Sequence, residues 1–501
     1  MRFIENLVHS FKENHLNNAL CINDVFYSYE DFVITISKIR SKIVNTIIHS
    51  EKLIGLVTND DIETYASIIA LWLEGKAYVP VNPESPIERN IQVFELTNSK
   101  YVFDSSPISQ YEQYNEFNVI SSISNVPIEI NLSPKKLSGG EIAYILFTSG
   151  TTGQPKGVPI SFNNIQGLVD AVYAEPEFNL ITSDRCLQMF ELTFDFSVVT
   201  YLFPFLAGAC VYTIPKGKIK YFYIFKLIKS QNLTVLTMVP SIINYLRTYF
   251  DEINAPHVRY CSFGGGALHA GIAKEWSDCL PNCKIFNYYG PTEFTVYSGF
   301  YPYNKQSHTK GHNGIIAIGK PQKDTSYLIV DDTNKELKTN TVGELCLAGP
   351  QITSGYWKNE DQNLKSFFSR IENNKRIRYY KTGDLCIKDN DGDFLYVGRL
   401  DFQVKIRGYR VELTEIEYHA KHCSPNKANM VAIDVYNKLG NAELVLAIES
   451  VSFDTTSIFK YLKTKLPGYM IPMHIEFIKE FPHSVNGKID RKSLRTYFKI
   501  N

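Results

Sequence analysis

Three observations in the sequence predict an α/β protein with a large N-terminal domain and a small C-terminal one. Apolar runs typical of strands alternate with helical runs, as in GLVTND (55–60), TYASIIALWLEGKA (64–77) and YVPVNP (78–83), and this favours layered mixed or parallel sheets flanked by helices. After about residue 300, shorter strand patterns separated by Gly and Asn turns, such as GELCLAGPQ (343–351), indicate a β-rich subdomain. From Glu412 onward the patterns predict helix, strand, strand and helix, a small α+β unit of about 100 residues.

Composition restricts the classes of function. The 501 residues include 52 basic and 52 acidic side chains, so the formal net charge is zero. A neutral chain has no overall attraction for nucleic acid or an anionic membrane, and we expect neither as a partner. The nine cysteines are scattered without a CxxC pair, and the first residues lack the apolar core of a signal peptide. We therefore expect a cytoplasmic protein.

One uncharged stretch, residues 196–215, is apolar enough to be considered as a membrane span. Pro204 and Gly208 interrupt this stretch, and polar residues are distributed along it. A helix, a turn and a short strand buried in a core explain the composition better than one continuous membrane helix. We therefore expect no membrane insertion.

The most informative segment is a predicted strand that runs into a loop of hydroxyls and glycines, AYILFTSGTTGQPKG (143–157). Glycines allow backbone N–H groups to converge on an anion, hydroxyls donate further hydrogen bonds, and Lys156 supplies positive charge. The loop differs from a Walker A motif, because Gly157 rather than Ser or Thr follows the lysine. We predict a phosphate-binding loop; the alternative is a mobile Ser/Gly surface loop.

This loop resembles the signature of the adenylate-forming enzyme superfamily, and seven further segments resemble its other motifs in the same order. They are AYVPVNP (77–83), FDFSV (194–198), NYYGPTE (287–293), GELCLAGP (343–350), YKTGDL (380–385), GRLDFQVKIRGYRVELTEIE (398–417) and NGKIDRK (486–492). The last two, with LPGYMIP (466–472), are most similar to the amino-acid-activating branch. That branch comprises adenylation domains of nonribosomal peptide synthetases and free-standing D-alanine–carrier protein ligases. The chain length, with no appended carrier or condensation domain, favours a free-standing enzyme.

The resemblance implies a two-step reaction with ATP and Mg²⁺ as cofactors. A carboxylate and MgATP give an acyl-AMP and pyrophosphate, and the phosphopantetheine thiol of a separate carrier protein then takes the acyl group. The residues implied to bind the phosphates are Thr148, Ser149, Gly150, Thr151, Thr152, Lys156 and Thr292, with Glu293 as the magnesium ligand. Those implied to contact adenine or ribose are Gly265, Gly266, Ala267, Asn287, Tyr288, Tyr289, Gly290, Asp384, Tyr396 and Arg399. Lys488 is implied to be the catalytic lysine that bridges the substrate carboxylate and the α-phosphate.

Several of these residues have simpler interpretations. Tyr289 could be a core aromatic, Arg399 could form a surface salt bridge, and Lys488 could belong to a solvated charge run. Asp384 follows Thr382 and a glycine in what we expect to be a turn, where an aspartate commonly bonds nearby backbone. The surrounding motifs favour the functional interpretation in each case.

The resemblance also implies that the small C-terminal domain is mobile. It divides the chain into an N-terminal adenylation core, residues 1–400, which binds ATP and the amino acid, and a C-terminal domain, residues 401–501, which carries the catalytic lysine. Asp401 matches the hinge, since a few residues at the end of an element can absorb a rotation. Gly408 would line the tunnel for the thiol, where the lack of a side chain allows close approach.

Asp195 indicates the class of substrate. In the amino-acid-activating branch the matching aspartate pairs with the α-ammonium group, whereas a fatty or aryl acid has no cation to balance a buried carboxylate. The alternative role for Asp195 is a helix N-cap. The amino acid pocket is implied to contain Asp195, Phe196, Val199, Thr237, Ser262, Gly264, Tyr288, Val296, Tyr297 and Lys488. Their volumes favour a small or medium side chain, so the candidates are D-alanine, glycine, L-alanine, serine, threonine and proline.

The sequence departs from the family pattern at three places. Asn82 replaces a more usual aspartate, Gly266 replaces a glutamate, and Gly264 and Tyr288 differ from the residues common in D-alanine ligases. Two other functions therefore stay open. One is a carboxylate–CoA ligase for an aryl or fatty acid, and the other is a nucleotide-binding interaction protein that no longer catalyses. The intact lysines and carboxylates of the motifs argue against the second.

Overall fold

The computed structural model describes residues 1–124, 128–150, 154–307, 309–422, 428–483 and 489–498. The first two thirds of the chain form two large sheets. Their strands, with the short pair β15–β16, are β1 (Asn18–Ile22), β2 (Val25–Ser28), β3 (Leu53–Val57), β4 (Ala77–Val81), β5 (Tyr101–Asp104), β6 (Asn118–Ser121), β7 (Ile142–Thr148), β8 (Lys156–Ser161), β9 (Arg185–Gln188), β10 (Cys210–Thr213), β11 (Val235–Met238), β12 (Tyr260–Phe263), β13 (Lys284–Tyr289), β14 (Gly299–Tyr303), β15 (Gly311–His312), β16 (Ile315–Ile316) and β17 (Lys320–Pro321).

The order of strands confirms the predicted parallel architecture. One sheet runs β6-β5-β3-β4-β7-β8, and the other runs β17-β14-β13-β12-β11-β9-β10-β1-β2. Pairing is parallel in the interior of both sheets and antiparallel toward their ends, at β7–β8, β13–β14, β14–β17 and β1–β2. In parallel sheets the carboxyl ends of neighbouring strands share one edge, and ligands commonly bind there.

Helices cover and separate these two sheets. They are α1 (Arg2–Glu13), α2 (Tyr29–Thr46), α3 (Ile62–Leu73), α4 (Ile87–Thr97), α5 (Phe162–Tyr173), α6 (Phe196–Ala207), α7 (Lys220–Ser230), α8 (Pro240–Leu246) and α9 (Ala270–Cys279). Helices α3 and α6 are buried along nearly their whole length. Tyr78 of β4 shares a 3.0 Å hydrogen bond with Tyr201 of α6, which links one sheet to a helix packed on the other.

The uncharged stretch folds as predicted. Helix α6 ends at Gly208, which has a φ of +70°, and strand β10 follows in the nine-stranded sheet. Glycine suits this left-handed backbone conformation, because glycine has no Cβ that would clash with the backbone. In the part of the chain that the structure describes, no helix is both long and apolar enough to cross a bilayer.

The next segment is the predicted β-rich subdomain, an antiparallel sheet. It contains β18 (Ser326–Val330), β19 (Gly343–Ala348), β20 (Phe367–Glu372), β21 (Lys375–Lys388) and β22 (Phe394–Arg399), with α10 (Glu360–Ser366). The prediction that Asp384 lies in a turn is wrong. Asp384 lies inside β21 opposite Arg399 of β22, and the Gly383 φ of +72° produces only a local irregularity in a strand that continues.

The C-terminal unit has the predicted order of elements. It comprises β23 (Gln403–Ile406), β24 (Tyr409–Glu412), α11 (Leu413–His422), β25 (Met430–Tyr436), β26 (Ala442–Glu449), α12 (Thr456–Lys465), β27 (His474–Ile478) and α13 (Arg491–Tyr497). Its buried apolar residues form clusters of their own. Asp401 lies between β22, which joins the preceding sheet, and β23, which pairs with β24. The boundary at this residue stays a prediction.

Candidate active site

Residues from four distant parts of the chain line one cavity of about 80 Å³. Thr148 and Ser149 come from the end of β7, Asp195 from the start of α6, Thr292 from a short 3₁₀ turn, and Arg410 from β24 of the C-terminal unit. The structure therefore brings predicted phosphate ligands and the predicted ammonium ligand to one place. It also places there an arginine that the sequence analysis did not assign.

The phosphate loop is held at its base by strand pairing. Thr148 ends β7 and pairs with Lys156, the first residue of β8, so the lysine returns to the base of the loop. The hydroxyl of Ser149 donates to the carbonyl of Arg410 at 2.8 Å, and the Gly150 N–H donates to Glu415 at 2.9 Å. These donors, implied to hold phosphate, bind groups of the C-terminal unit. Thr151 and Thr152 lie outside the described residues.

Glu293 is a fully buried carboxylate at the centre of the site. Arg410 Nη1 lies 2.8 Å from both of its oxygens, and the Tyr356 hydroxyl donates to it at 2.5 Å. Burial alone would raise the pKa of Glu293, but Arg410 and Tyr356, with a contribution from Lys156, lower it to about 2. Glu293 is therefore ionised at neutral pH.

An ionised buried carboxylate fits the predicted magnesium ligand, because Mg²⁺ is commonly bound by one or two carboxylates together with phosphate oxygens and water. Within the described ranges, no group of three or more His, Cys, Asp or Glu side chains could hold a metal. In this arrangement Arg410 occupies both oxygens of Glu293, and Lys156 Nζ lies 3.6 Å from Glu412 Oε1. Magnesium binding through Glu293 would require Arg410 to leave.

The predicted ribose ligands meet on the edge of the β-rich subdomain. The Tyr289 hydroxyl donates to one oxygen of Asp384 at 2.5 Å, and Arg399 donates to the other at 2.7 Å. Arg399 also pairs with Asp401 at 2.6 Å. The structure thus brings Tyr289, Asp384 and Arg399 together, with Tyr396 on the strand of Arg399.

The other residues predicted to contact the nucleotide lie on two neighbouring strand ends. They are Gly265, Gly266 and Ala267 after β12, and Asn287, Tyr288 and Gly290 in or just after β13. Asn287 is buried and donates to the carbonyl of Ala317 at 2.9 Å. Their roles toward the nucleotide stay predictions.

Asp195 is buried, 6% exposed, and makes no side-chain capping hydrogen bond to α6, which does not support the alternative role as an N-cap. Burial raises its pKa, while the Thr292 hydroxyl and the positive charge of Lys405 favour the ionised form. No salt bridge to Asp195 is present among the residues that the structure describes. A buried carboxylate of this kind suits a cationic ligand group.

The predicted pocket residues converge around the start of α6. Phe196 and Val199 lie on α6, Thr237 on β11, Ser262 on β12 and Tyr288 on β13, while Gly264, Val296 and Tyr297 lie in the loops that follow. Tyr288 and Tyr297 stack with their ring centroids 4.1 Å apart. Lys488, also assigned to this pocket and to catalysis, lies outside the described residues.

The sequence analysis missed several charged residues of the C-terminal unit. Besides Arg410 and Glu412, Glu415 forms a 2.8 Å ion pair with Arg89 of the N-terminal body. Lys405 is an exposed residue, yet loss of solvation and the nearby Arg410 lower its pKa to about 8. These four residues of the C-terminal unit lie in the motif at 398–417. Their charge was the feature of the sequence that could have indicated a role in the site.

A larger cavity of about 520 Å³ lies between the N-terminal body and the C-terminal unit. Its lining includes Glu191 and Tyr245 from the body and Arg407, Tyr409 and Tyr469 from the C-terminal unit. Gly408, predicted to line the thiol tunnel, lies between two of these residues and has a φ of +89°. A Cβ at Gly408 would lie 2.3 Å from Val239 Cγ1, so only glycine fits this backbone position.

Comparison with known proteins identifies the family. Residues 10–357 match the family described as AMP-binding enzyme. The chain belongs to this family. The D-alanine–D-alanyl carrier protein ligase of Lactiplantibacillus plantarum is 30% identical over 453 residues, which cover 86% of each chain. The predicted resemblance to adenylate-forming enzymes is therefore confirmed.

Other similar proteins are much longer than this chain. Tyrocidine synthase 3 of Brevibacillus parabrevis is 30% identical over 452 residues, which cover 88% of this chain and 7% of the synthase. A linear gramicidin synthase of the same organism is 28% identical over 486 residues, which cover 95% of this chain and 6% of that protein. The chain therefore matches only a small part of each of these synthases.

Solved structures confirm the predicted fold class. The Vibrio cholerae adenylation domain AlmE, in complex with glycyl-adenosine-5'-phosphate, has a TM-score of 0.86 and 23% identity, covering 99% of this chain and 97% of its own. An artificially fused adenylation–PCP di-domain, NpsA-ThdA from Klebsiella oxytoca, has a TM-score of 0.81 and 21% identity, covering 95% and 93%.

Proposed function

We propose that this AMP-binding enzyme is an AMP-forming amino acid–[carrier protein] ligase. The amino acid carboxylate attacks the α-phosphorus of ATP, and pyrophosphate leaves with the broken phosphoanhydride bond. The phosphopantetheine thiol of a separate carrier protein then attacks the carbonyl carbon. A thioester forms, AMP leaves, and the thiol proton passes to solvent.

The observation that carries this proposal is the shared cavity of Asp195 and the phosphate loop. Asp195 offers a buried negative charge to a cation, and Thr148, Ser149 and Thr292 line the same cavity. An α-amino acid has an ammonium group adjacent to the carboxylate that must reach the α-phosphate. One cavity can therefore bind the ammonium group and position the reacting carboxylate, which lowers the entropic cost of the reaction.

The observed position of the C-terminal unit suits the second step. Arg410 binds Glu293, and the carboxylates of Glu412 and Glu415 bind Lys156 and the N–H of Gly150. These contacts compete with magnesium and with the β- and γ-phosphates. Adenylate formation therefore requires the unit to move away, with Asp401 as the hinge and Lys488 brought to the carboxylate. When bound, Mg²⁺ would neutralise phosphate charge beside Glu293.

The 520 Å³ cavity is a suitable path for the phosphopantetheine arm. It lies beside Gly408 between the two parts of the chain, where an arm from a separate carrier protein can enter. We also propose that the enzyme acts in the cytoplasm, where ATP is supplied and the scattered cysteines stay reduced.

Replacing Asp195 with Asn tests the amino acid class, because the substitution keeps the shape and removes the charge. We expect amino-acid-dependent ATP–pyrophosphate exchange to fall at least roughly 100-fold, since the ammonium group loses its buried partner. Thermal unfolding of Asp195→Asn should show a folded protein, and Asp391→Asn, at an exposed carboxylate, is the matched control. Undiminished exchange in Asp195→Asn would refute the role of the carboxylate. Activity only with an aryl or fatty acid and CoA would instead favour the carboxylate–CoA ligase.

A further inference from the structure

The predicted amino acid pocket is divided into two separate cavities. Asp195 lines the cavity that it shares with the phosphate loop. Thr237, Ser262, Tyr288 and Tyr297 line a second cavity of about 20 Å³. The two cavities have no lining residue in common. A substrate held through its ammonium group by Asp195 therefore has no open path to the residues predicted to surround its side chain.

Phe196 accounts for this division. A Cβ built on Gly264 would lie 2.2 Å from Phe196 Cζ, so the ring lies directly against the backbone of Gly264. The ring also stacks on Phe194 at 6.1 Å, which lines the Asp195 cavity. Tyr297, which lines the second cavity, meets the Phe196 ring edge to face at 5.3 Å. Phe196 thus lies between the two cavities. Its ring fills the space beside Gly264, where no side chain is present.

The ring has little freedom to move aside. Phe196 is 3% exposed, and Phe190 packs on it with ring centroids 5.1 Å apart. Behind it, Tyr288 and Tyr297 stack at 4.1 Å and are themselves buried. Opening the pocket would break three aromatic contacts of the ring, those with Phe190, Phe194 and Tyr297.

The second cavity is too small to replace the missing path. A single water molecule needs about 10–15 Å³ by this measure, and the cavity offers about 20 Å³. It therefore has space for one water-sized group rather than for a chain of carbon atoms.

On the basis of the proposed function, we infer that the substrate is glycine and that Phe196 is the residue that excludes longer side chains. Glycine needs only the ammonium site at Asp195 and the reacting carboxylate. A side chain that extends from this site toward the second cavity would have to displace the Phe196 ring, which lies directly against Gly264. The volumes of the pocket residues allowed several small and medium amino acids, and the position of the Phe196 ring favours glycine among them.

The first test uses the wild-type enzyme and does not depend on turnover. Non-hydrolysable aminoacyl-sulfamoyladenosines carrying glycyl, L-alanyl, D-alanyl or L-valyl groups are titrated and their dissociation constants measured by calorimetry. We expect the glycyl compound to bind at least roughly 10-fold more tightly than either alanyl compound, the range that one methyl group supports. Equal or tighter binding of an alanyl compound would overturn the inference.

The second test opens the pocket. Phe196→Ala should raise kcat/KM for L-alanine and L-valine relative to glycine at least roughly 10-fold in pyrophosphate exchange. Phe196→Leu, a smaller change to the core, should shift the preference in the same direction if the alanine variant fails to fold. Phe203→Leu is the matched control, because Phe203 lines the second cavity without separating it from Asp195. An unchanged preference in a folded Phe196 variant would contradict the role of this ring.

These tests separate the inference from the proposed function. Pyrophosphate exchange with alanine but not with glycine would overturn the inference and leave amino acid activation intact. Exchange with no amino acid at all would refute the proposed function itself.

Discussion

The ion pair between Arg410 and Glu293 should control the second half-reaction without controlling the first. Arg410 has a side chain only 14% exposed, Glu293 is fully buried, and both carboxylate oxygens lie 2.8 Å from Nη1. Arg410→Gln keeps a polar side chain and removes the charge. Glu293 would then be buried without its main cationic partner whenever the C-terminal unit occupies the observed position.

The expected cost follows from the burial of the pair. Removing one partner of a buried ion pair costs about 3–5 kcal/mol. We expect a cost near the lower end of this range, because Lys156 and Tyr356 still favour the ionised form of the Glu293 carboxylate. A cost of about 3 kcal/mol corresponds to a population of the observed arrangement that is roughly 100-fold lower. Thiol transfer should fall by a similar factor if it needs this arrangement.

Two assays measure the half-reactions separately. ATP–pyrophosphate exchange reports adenylate formation and should stay within about 3-fold of wild type in Arg410→Gln, because that step needs Arg410 to leave Glu293. Single-turnover transfer from preformed aminoacyl-AMP to a pantetheine thiol should show the full loss. Arg370→Gln, which removes a partly exposed arginine paired with Glu336, is the matched control. Equal loss of both half-reactions, or unchanged transfer, would refute the reasoning.

The same variant should acquire a pH dependence beyond that of the wild type. In the wild type the pKa of Glu293 is about 2, below its unperturbed value, so the contribution of the ion pair is fully present above about pH 5. Without Arg410, the largest influence that offsets burial is lost, so the pKa of Glu293 rises above its wild-type value, and protonation then favours the observed arrangement. The wild-type to Arg410→Gln ratio of transfer rates should therefore decrease as the pH falls from 8 to 6. A constant ratio would show that the charge of Glu293 is not involved.

Two further variants address the predicted division between half-reactions. Gly408→Ala should reduce thiol transfer at least roughly 10-fold and leave pyrophosphate exchange intact. The reason is that a Cβ at this position, where φ is +89°, would lie 2.3 Å from Val239 Cγ1. Unchanged single-turnover transfer would contradict this expectation. Lys488→Ala should abolish adenylate formation, measured as pyrophosphate release, while transfer from supplied aminoacyl-AMP survives. Loss of both activities in Lys488→Ala would show that the assigned role is incomplete.

Local sequence patterns predicted much of the fold. The strand before the phosphate loop, the short helix, turn and strand in residues 196–215, and the order of elements after Glu412 all depend on periodicity and on turn residues nearby in sequence. Asp384 shows the limit of that reasoning. A glycine before it suggested a turn, but pairing with β19 and β22 on both sides keeps the strand continuous.

The site was harder to predict where it depends on distant contacts. The bond from Ser149 to Arg410 joins residues 261 positions apart, and no local pattern encodes it. The closure of the pocket has the same origin. Residue volumes predicted a pocket for a small or medium side chain, and only the three-dimensional packing shows that the Phe196 ring occupies the space beside Gly264. The sequence could therefore predict roles for motif residues, whereas it could not predict their contact partners or the size of the pocket.

The most direct test of the proposed activity is ATP–pyrophosphate exchange by the wild-type enzyme with each proteinogenic amino acid, D-alanine, and a set of aryl and fatty acids, with and without CoA. We predict exchange that depends on an amino acid and is highest with glycine. No CoA ester should form. Exchange only with an aryl or fatty acid, together with a CoA ester product, would contradict the proposed activity.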